Sequence, residues 1–322
     1  QSQIAQYLKL KNTQNKPNPF LGYMDPNAVF SFAANINPAI TTIMNDTNKL
    51  FFNAFQNAAD DSNSIPEIRD IVNGMTAQFN GPGLVNVSYE SMFRMQAEYI
   101  FKVKDTNKAN QLITKAFNFY QAPEAENFFK SMNLNMSFEK KQTSQYKSTK
   151  INTEVMKFFT EKLDPNNPQL EVAKKALEQP NTFSWTVTDN TFIATLNQDD
   201  QKIHKLIDNV KSPKNPQLAD STKQTLKYLP DHQSADFLAA MNLLAFSQNI
   251  MAVTGMPPVQ MPQKSKSFLA SKLNIKDGQL NFNTALPKQH LKDMMTFFIM
   301  IQSMQQGPPM NQPPTKTAPK LP

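Results

Sequence analysis

Strand patterns and helix patterns occur in the same order in two parts of this 322-residue chain. In the first part, "YMDPNAVFSFAANIN" passes from a turn into a Val- and Phe-rich run at 28–35, which is typical of a buried strand. Apolar residues then recur three and four positions apart from Ile40 to Phe55, which indicates a helix. In the second part, "YLPDHQSADFLAAMN" has the same position before another apolar helix. The order predicts a diverged internal repeat.

A strand–strand–helix pattern follows in each part. From Met95 to Lys104 apolar and polar residues alternate, which predicts a half-buried strand, and Asp105 or Thr106 can cap the next helix. In the second part, "SKLNIKDGQLNFNTALPKQHLKDMM" holds two strand runs around the hairpin turn "KDGQ" and then the last helix. Repeated units of this kind predict an α+β fold in which helices cover one face of a largely antiparallel sheet.

The middle of the chain adds further elements. Two β-rich runs, Phe183–Thr188 and Thr191–Asn197, flank "TDN" and predict a tight hairpin. Asp199 or Asp200 can cap a short helix that follows. "STKINTEVMKFFTEKL" and "PQLEVAKKALEQ" have amphipathic helix patterns, although the start of the first also fits a strand. "FNGPGL" is typical of a turn that ends a helix.

These patterns divide the chain into four regions. They are an extended N-terminal arm at 1–22, a first repeat at 23–213, a shorter second repeat at 214–304 and a proline-rich tail at 305–322. The boundary between the repeats falls at "SPKNPQ". The tail has the composition of a polyproline or disordered segment.

Composition excludes several classes of protein. The chain has no cysteine, so it has no disulfide framework, no Cys-ligated zinc and no thiol nucleophile. Lys and Arg outnumber Asp and Glu by 33 to 26, for a formal charge of +7. The basic residues are spread over short polar stretches and are not interleaved with aromatic residues. We therefore expect no nucleic-acid partner.

The succession "YMDPNAVFSFAANI", "AEYIFKVKDTNKANQLITKAF", "SWTVTDNTFIATLNQDDQKIHKLIDNV" and "LNIKDGQLNFNTALP" resembles a broad group of exported bacterial proteins. That group is built on a duplicated α+β domain of unknown function, and the resemblance covers about residues 23–304. It implies location in the periplasm, in the outer envelope or outside the cell, often with a lipid anchor. It brings no catalytic residue with it.

The start of the chain agrees with export. It begins at Gln1 with a polar stretch, from which we expect that a signal segment has been removed. Near the other end of the chain, the apolar run "MMTFFIMIQSM" at 294–304 is too short to span a bilayer.

No pattern predicts catalysis, and we expect neither an enzyme nor a cofactor. The three histidines, His204, His232 and His290, lie in separate segments without a paired metal-binding motif. The sequence has no phosphate-binding glycine loop and no nucleophile elbow. Pairs of aspartates occur where helices begin, so capping explains them better than acid–base chemistry does.

Three functional hypotheses remain, and the first is a non-enzymatic subunit that docks on other proteins or on a lipid surface. It would dock through the apolar last helix and the tail, with the residues Met300, Met304, Pro308, Pro309, Pro313 and Pro314. The second is a periplasmic carrier of a lipid or another apolar ligand. Its lining would come from Phe51, Phe55, Phe117 and Phe297, with Phe52, Phe119 and Phe298 beside them. The third is a copper binder that uses the thioethers of Met256 and Met261 in "MPPVQM".

Overall fold

The structure is a computed structural model, and it describes residues 16–58, 65–91, 94–122, 125, 136–158, 178–212, 218–253, 267–276 and 279–305. The strands are β1 (Phe30–Ile36), β2 (Phe79–Ser91), β3 (Arg94–Val103), β4 (Met136–Tyr146), β5 (Thr149–Phe158), β6 (Asn181–Thr188), β7 (Thr191–Leu196), β8 (Phe237–Met241), β9 (Leu269–Lys276) and β10 (Gln279–Ala285). The helices are α1 (Pro38–Ala58), α2 (Ile65–Gln78), α3 (Thr106–Tyr120), α4 (Asp200–Lys211), α5 (Asp220–Leu226), α6 (Leu243–Val253) and α7 (Lys288–Gln305).

These ten strands form one sheet in the order β10–β9–β8–β1–β2–β3–β7–β6–β5–β4. Every neighbouring pair is antiparallel. The predicted α+β class is confirmed.

The predicted recurrence of elements is present in the topology. The first half runs β1–α1–α2–β2–β3–α3, and the second runs β8–α6–β9–β10–α7. The halves join where β1 pairs with β8. Asn37 and Asn242 directly follow these two strands, and each side chain accepts a hydrogen bond from the backbone N–H three residues later, at 3.1 and 3.0 Å. Phe32 and Phe237, at matching positions before these caps, stack with ring centroids 5.8 Å apart.

The stacked pair shows how the two halves are related. Directly opposed residues of antiparallel strands share a face, and Ala34 lies opposite Phe237, so Phe32 and Phe237 lie on the same face of the sheet. The two halves therefore place matching phenylalanines on one face, which α1 and α3 cover in the first half. In the second half, α6 and α7 pack against each other through Leu244 and Phe297.

Helices cover both faces of the sheet, so the expectation that they cover one face is wrong. On the second face α4 and α5 pack against the sheet with Ile203, Leu206 and Leu226. Leu84 of β2 and Ile100 of β3 face them in the same cluster. The long connection from β7 to β8 makes this second layer possible, because it is long enough to hold two helices.

The second layer also changes the prediction for β3. A half-buried β3 would leave Glu98 and Ile100 on its solvated face, but both are buried. Lys202 of α4 lies 2.6 Å from the Glu98 carboxylate, and Asn86 donates to the same carboxylate at 3.3 Å. A buried carboxylate is tolerated here because it is paired and hydrogen-bonded. The strand is therefore covered on both sides.

Two local predictions are wrong for reasons that involve the sheet. Residues 149–158, where a helix was expected apart from a possible strand at the start, form β5, which pairs with both β4 and β6. Ladder formation on both sides outweighs the helical pattern, and the β-branched residues Ile151, Thr153 and Val155 suit a strand. The expected turn around Gly81 lies within β2, where a register shift marks a bulge. Gly83 is required there, because a Cβ atom would lie 2.2 Å from the Phe101 ring.

Other local predictions are confirmed. β6 and β7 form the hairpin, and its turn residues Asp189 and Asn190 have φ of 48° and 51°. Such positive φ values at both central positions are typical of the turn that suits a two-residue hairpin. The side chains of Asp105 and Asp199 cap α3 and α4.

The described end of the predicted arm, residues 16–22, is packed into the fold. Phe20 and Leu21 are buried in the main cluster of the second face. The buried Asn18 side chain donates to Ala34 O and Gly83 O, both at 3.1 Å. An extended arm was predicted at 1–22, but residues 16–22 are packed into the fold, because their polar and apolar groups both have partners in it.

Candidate interaction surface

Among the described residues, β10 is the last strand at its end of the sheet, and it exposes side chains on both faces. Six of its seven residues are exposed, from Gln279 to Thr284. Leu280 and Phe282 share one face, since they are two positions apart, and Phe282 is 67% exposed. Phe282 lies opposite Leu273, which in turn lies opposite Phe237, so this face is the one that carries α1.

The helix α7 has one buried side and one exposed apolar side. His290, Met294, Phe297 and Ile301 recur at helical spacing and lie inward, with Phe297 only 1% exposed. Phe297 packs with Leu244 of α6. The exposed apolar residues also share a side of the helix, and they are Leu291, Met295, Phe298 and Ile299.

We call these exposed residues of β10 and α7 together the β10–α7 surface. It consists of Leu280, Phe282, Leu291, Met295, Phe298 and Ile299. Scattered apolar residues on a protein surface are normal, but exposed apolar residues that share one side of a helix or one face of an edge strand are candidates for an interaction site. An exposed strand edge also offers unpaired backbone groups to another chain.

A buried histidine holds the start of α7 against the chain that enters β9. His290 Nδ1 lies 3.0 Å from Ser267 Oγ, and the Ser267 hydroxyl donates to Asp293 Oδ2 at 3.2 Å. This assigns the imidazole proton to Nδ1, and Nε2 then has no hydrogen-bond partner among the described residues. Burial lowers the pKa of His290, although Ser267 and Asp293 oppose that shift. The ring is therefore a neutral anchor.

The three residue types of this anchor also occur in nucleophilic triads, but their order differs. In a triad the imidazole lies between the hydroxyl and the carboxylate, so that it can accept the hydroxyl proton. Here the Ser267 hydroxyl lies between His290 and Asp293. His290 is also fully buried. The cluster orients a helix and has no arrangement for acyl transfer.

The matching elements of the first half are covered. β3, the third strand of that half, pairs along its outer edge with β7, and Phe101 lies opposite Phe192. α3 packs against β6, with further contacts to β7 and β4. Phe117 of α3 stacks on the buried Trp185 of β6 at 5.9 Å. Thus the strands β7, β6, β5 and β4 occupy the place that is open beside β10.

The structure shows where the predicted docking residues lie. Met300 is half-buried beside the Phe297 cluster, whereas Met304 is exposed at the end of α7. The prolines Pro308, Pro309, Pro313 and Pro314 lie outside the described residues. The helix predicted to dock, α7, has an exposed apolar side, whereas Leu280 and Phe282 were not among the predicted docking residues.

The predicted lining of an apolar cavity is not brought together. Phe117 belongs to the α3–β6 packing, and Phe297 belongs to the α6–α7 packing. Phe51 is 52% exposed on α1 and lies against Phe52 at 5.5 Å. The side chain of Phe55 is outside the described residues.

The second face holds a cleft with a volume of about 680 Å³. Its apolar lining includes Phe20, Leu21 and Val210, and Lys223 and Lys227 also line it. None of the predicted phenylalanines takes part. A cleft of this volume is in the range of small-ligand sites.

The described residues contain no cluster of acidic and histidine side chains that could hold a metal ion. His204 stacks on Tyr146 at 3.8 Å, and His232 Nδ1 lies 3.0 Å from Leu229 O. Both are thus held by packing or by the backbone. Met256 and Met261, the predicted copper ligands, lie outside the described residues.

Among the described helices, none has the length and apolar character needed to cross a bilayer. No protein-family model matches the chain, and neither a curated protein nor a solved structure is significantly similar to it.

Proposed function

We propose that this protein is a non-enzymatic structural subunit that docks on another protein through its β10–α7 surface. The proposal rests on one observation. Leu280, Phe282 and Phe298 are exposed on β10 and α7, whereas strands cover the first-half counterparts β3 and α3. An exported location, as the resemblance implies, is part of this proposal.

The shape of the surface supports docking by a strand. Among the described residues, β10 has an open edge, and α7, which follows it in the chain, has an exposed apolar side. A partner strand would gain main-chain hydrogen bonds from the edge and apolar contacts from the helix, which is the usual basis of strand addition. Phe298 and Met295 would then be covered, as Phe117 is covered by Trp185 in the first half.

Photo-crosslinking in intact cells tests this function. The photoreactive residue p-benzoylphenylalanine would replace Phe298 in one variant and Phe51, an exposed phenylalanine of α1, in a control. We expect protein adducts from position 298 that position 51 does not give. If position 298 gives no adduct, or only those of position 51, the surface does not dock a protein.

One observation favours a second candidate, the carrier of an apolar ligand. The cleft on the second face combines Phe20, Leu21 and Val210 with Lys223 and Lys227, which suits an apolar molecule with an anionic head. Native mass spectrometry of protein mixed with oleate tests it. A carrier would bind one or a few oleate molecules and would bind them more weakly after Lys223→Ala and Lys227→Ala. Equal binding by the variant would reject this candidate.

A further inference from the structure

We infer that the partner at the β10–α7 surface is a second copy of this chain, whose β10 pairs antiparallel with the first around a twofold axis. This inference rests on the proposed function and names the partner of that surface. The joint would continue the sheet from one copy into the next.

The first half shows which geometry covers the third strand and the helix that follows it. There, β7 lies antiparallel beside β3, while α3 extends over β6 and β7. A second copy supplies both parts, since its β10 would lie beside β10 and each α7 would extend over the strand of the other copy. The same kind of joint already exists within the chain, where β1 pairs antiparallel with β8.

The sequence of β10 permits pairing with itself. The strand "QLNFNTA" has no charged residue and no proline, and its pairing with β9 has no bulge. Like charges opposite each other destabilise a strand pair, and charges, prolines and bulges are the usual means by which edge strands avoid pairing. β10 has none of these.

The other edge strand, β4, carries charged residues and a bulge, and this makes it the weaker candidate for pairing with a second copy. β4 contains "FEKK", and Glu139 lies 2.9 Å from Lys157 across the β4–β5 pair. Its pairing with β5 also has a register shift after Lys140. Charges and a bulge of this kind protect an edge from association.

Symmetry limits the register of the joint. A twofold axis perpendicular to the sheet keeps every side chain on its own face, and opposed residues of antiparallel strands share a face. The register that pairs all seven residues of β10 then places Phe282 opposite Phe282 of the other copy and Leu280 opposite Thr284. The exposed side of α7, with Met295 and Phe298, would cover the two phenylalanine rings.

The test uses sedimentation velocity of the full chain and two charge variants, Phe282→Lys and Phe282→Glu. We expect a dimer for the unaltered chain. Each variant alone should raise the dimer dissociation constant by at least about 30-fold, because like charges would meet at the axis. An equimolar mixture of the two should dimerise again, since opposite charges would then face each other. Phe51→Lys, at an exposed ring outside the surface, should leave the dimer unchanged.

Each outcome decides the inference. Loss of the dimer in both variants, together with rescue in the mixture, supports it and its register. A monomeric unaltered chain overturns it, as does a dimer that persists in Phe282→Lys, and a failure of the mixture to associate overturns the register. If the chain is monomeric but position 298 still cross-links to a different protein, only this inference fails. Without any adduct, the proposed function fails as well.

Discussion

The two halves of the sheet share an order of elements, but they differ in what lies beyond the third strand. In the first half, β7 pairs with β3, and Trp185 of β6 packs under α3. In the second half, β10 and the exposed side of α7 have no such cover among the described residues. The same local sequence pattern thus gives a finished core on one side and an open edge on the other. The difference lies in the strands that follow the repeat unit, and in α2, which packs on α3 and has no counterpart among the described residues of the second half.

The largest loss of stability is expected from a substitution in the covered first half. Trp185 is 1% exposed and packs on Phe117, so Trp185→Ala should lower the free energy of unfolding by about 3–5 kcal/mol. Phe282→Ala on the open side should change it by less than about 0.5 kcal/mol in dilute protein. Urea denaturation followed by circular dichroism gives both values. Similar losses for the two variants would mean that Phe282 is covered within its own chain.

A second comparison uses neighbouring rings on α7. Phe297→Ala removes a ring that packs with Leu244 and should cost about 3 kcal/mol. Phe298→Ala removes a ring that is 55% exposed and should cost less than about 0.5 kcal/mol in dilute protein. The two variants have the same change in composition, so their difference reports position alone. Equal losses in urea denaturation would contradict the orientation of α7.

The third prediction concerns pH and the anchor of α7. Burial lowers the pKa of His290 in the folded chain, so the unfolded chain binds more protons as the pH falls below the unfolded value of about 6.5. The free energy of unfolding should therefore be highest above that pH, and it should decrease as the pH falls through it. Asp293 and Ser267 contact this site and moderate the effect.

Hydrogen exchange of residues 288–304 measures this pH effect locally. Exchange should accelerate more between about pH 7 and about pH 5 in the unaltered chain than in His290→Asn, after correction for the intrinsic rate. The asparagine keeps a polar side chain near Ser267 but does not titrate. A pH dependence that is the same in both proteins would show that another group controls α7.

The smallest effect is expected at the protected edge. Lys157 and Glu139 form an ion pair at 2.9 Å with both side chains well exposed. A double-mutant cycle with Glu139→Gln and Lys157→Met should give a coupling of less than about 1 kcal/mol, reduced by salt. We expect the charges of β4 to protect this edge from association. A much larger coupling would mean instead that they stabilise the fold.

Sequence patterns predicted those elements whose signals are local. The hairpin at Asp189 and Asn190 and the caps Asp105 and Asp199 depend on residues a few positions apart, and these were found. β5 was missed because its pairing with β4 and β6 is a tertiary feature that overrides a helical pattern. The strand through Gly83 was missed because it forms by non-local pairing with β1 and β3.

The same limit applies to the candidate surface. The apolar character of α7 predicted a docking helix, and its sequence alone could not show that Phe297 faces inward and Phe298 outward. Phe282 lies in a correctly predicted hairpin strand, but whether a strand is central or at an edge depends on non-local pairing. One local signal was available, namely the absence of charge and proline from 279 to 285, because such residues usually protect an edge strand from association.

The most direct test of the account compares backbone hydrogen exchange in β3 and β10 at low and high protein concentration. We expect residues 97–102 of β3 to exchange slowly at every concentration, because β2 and β7 pair with both edges. Residues 279–285 of β10 should exchange faster in dilute protein and become protected as the concentration rises. Protection of β10 equal to that of β3 in dilute protein, or rapid exchange at every concentration, would contradict an open edge that another copy covers.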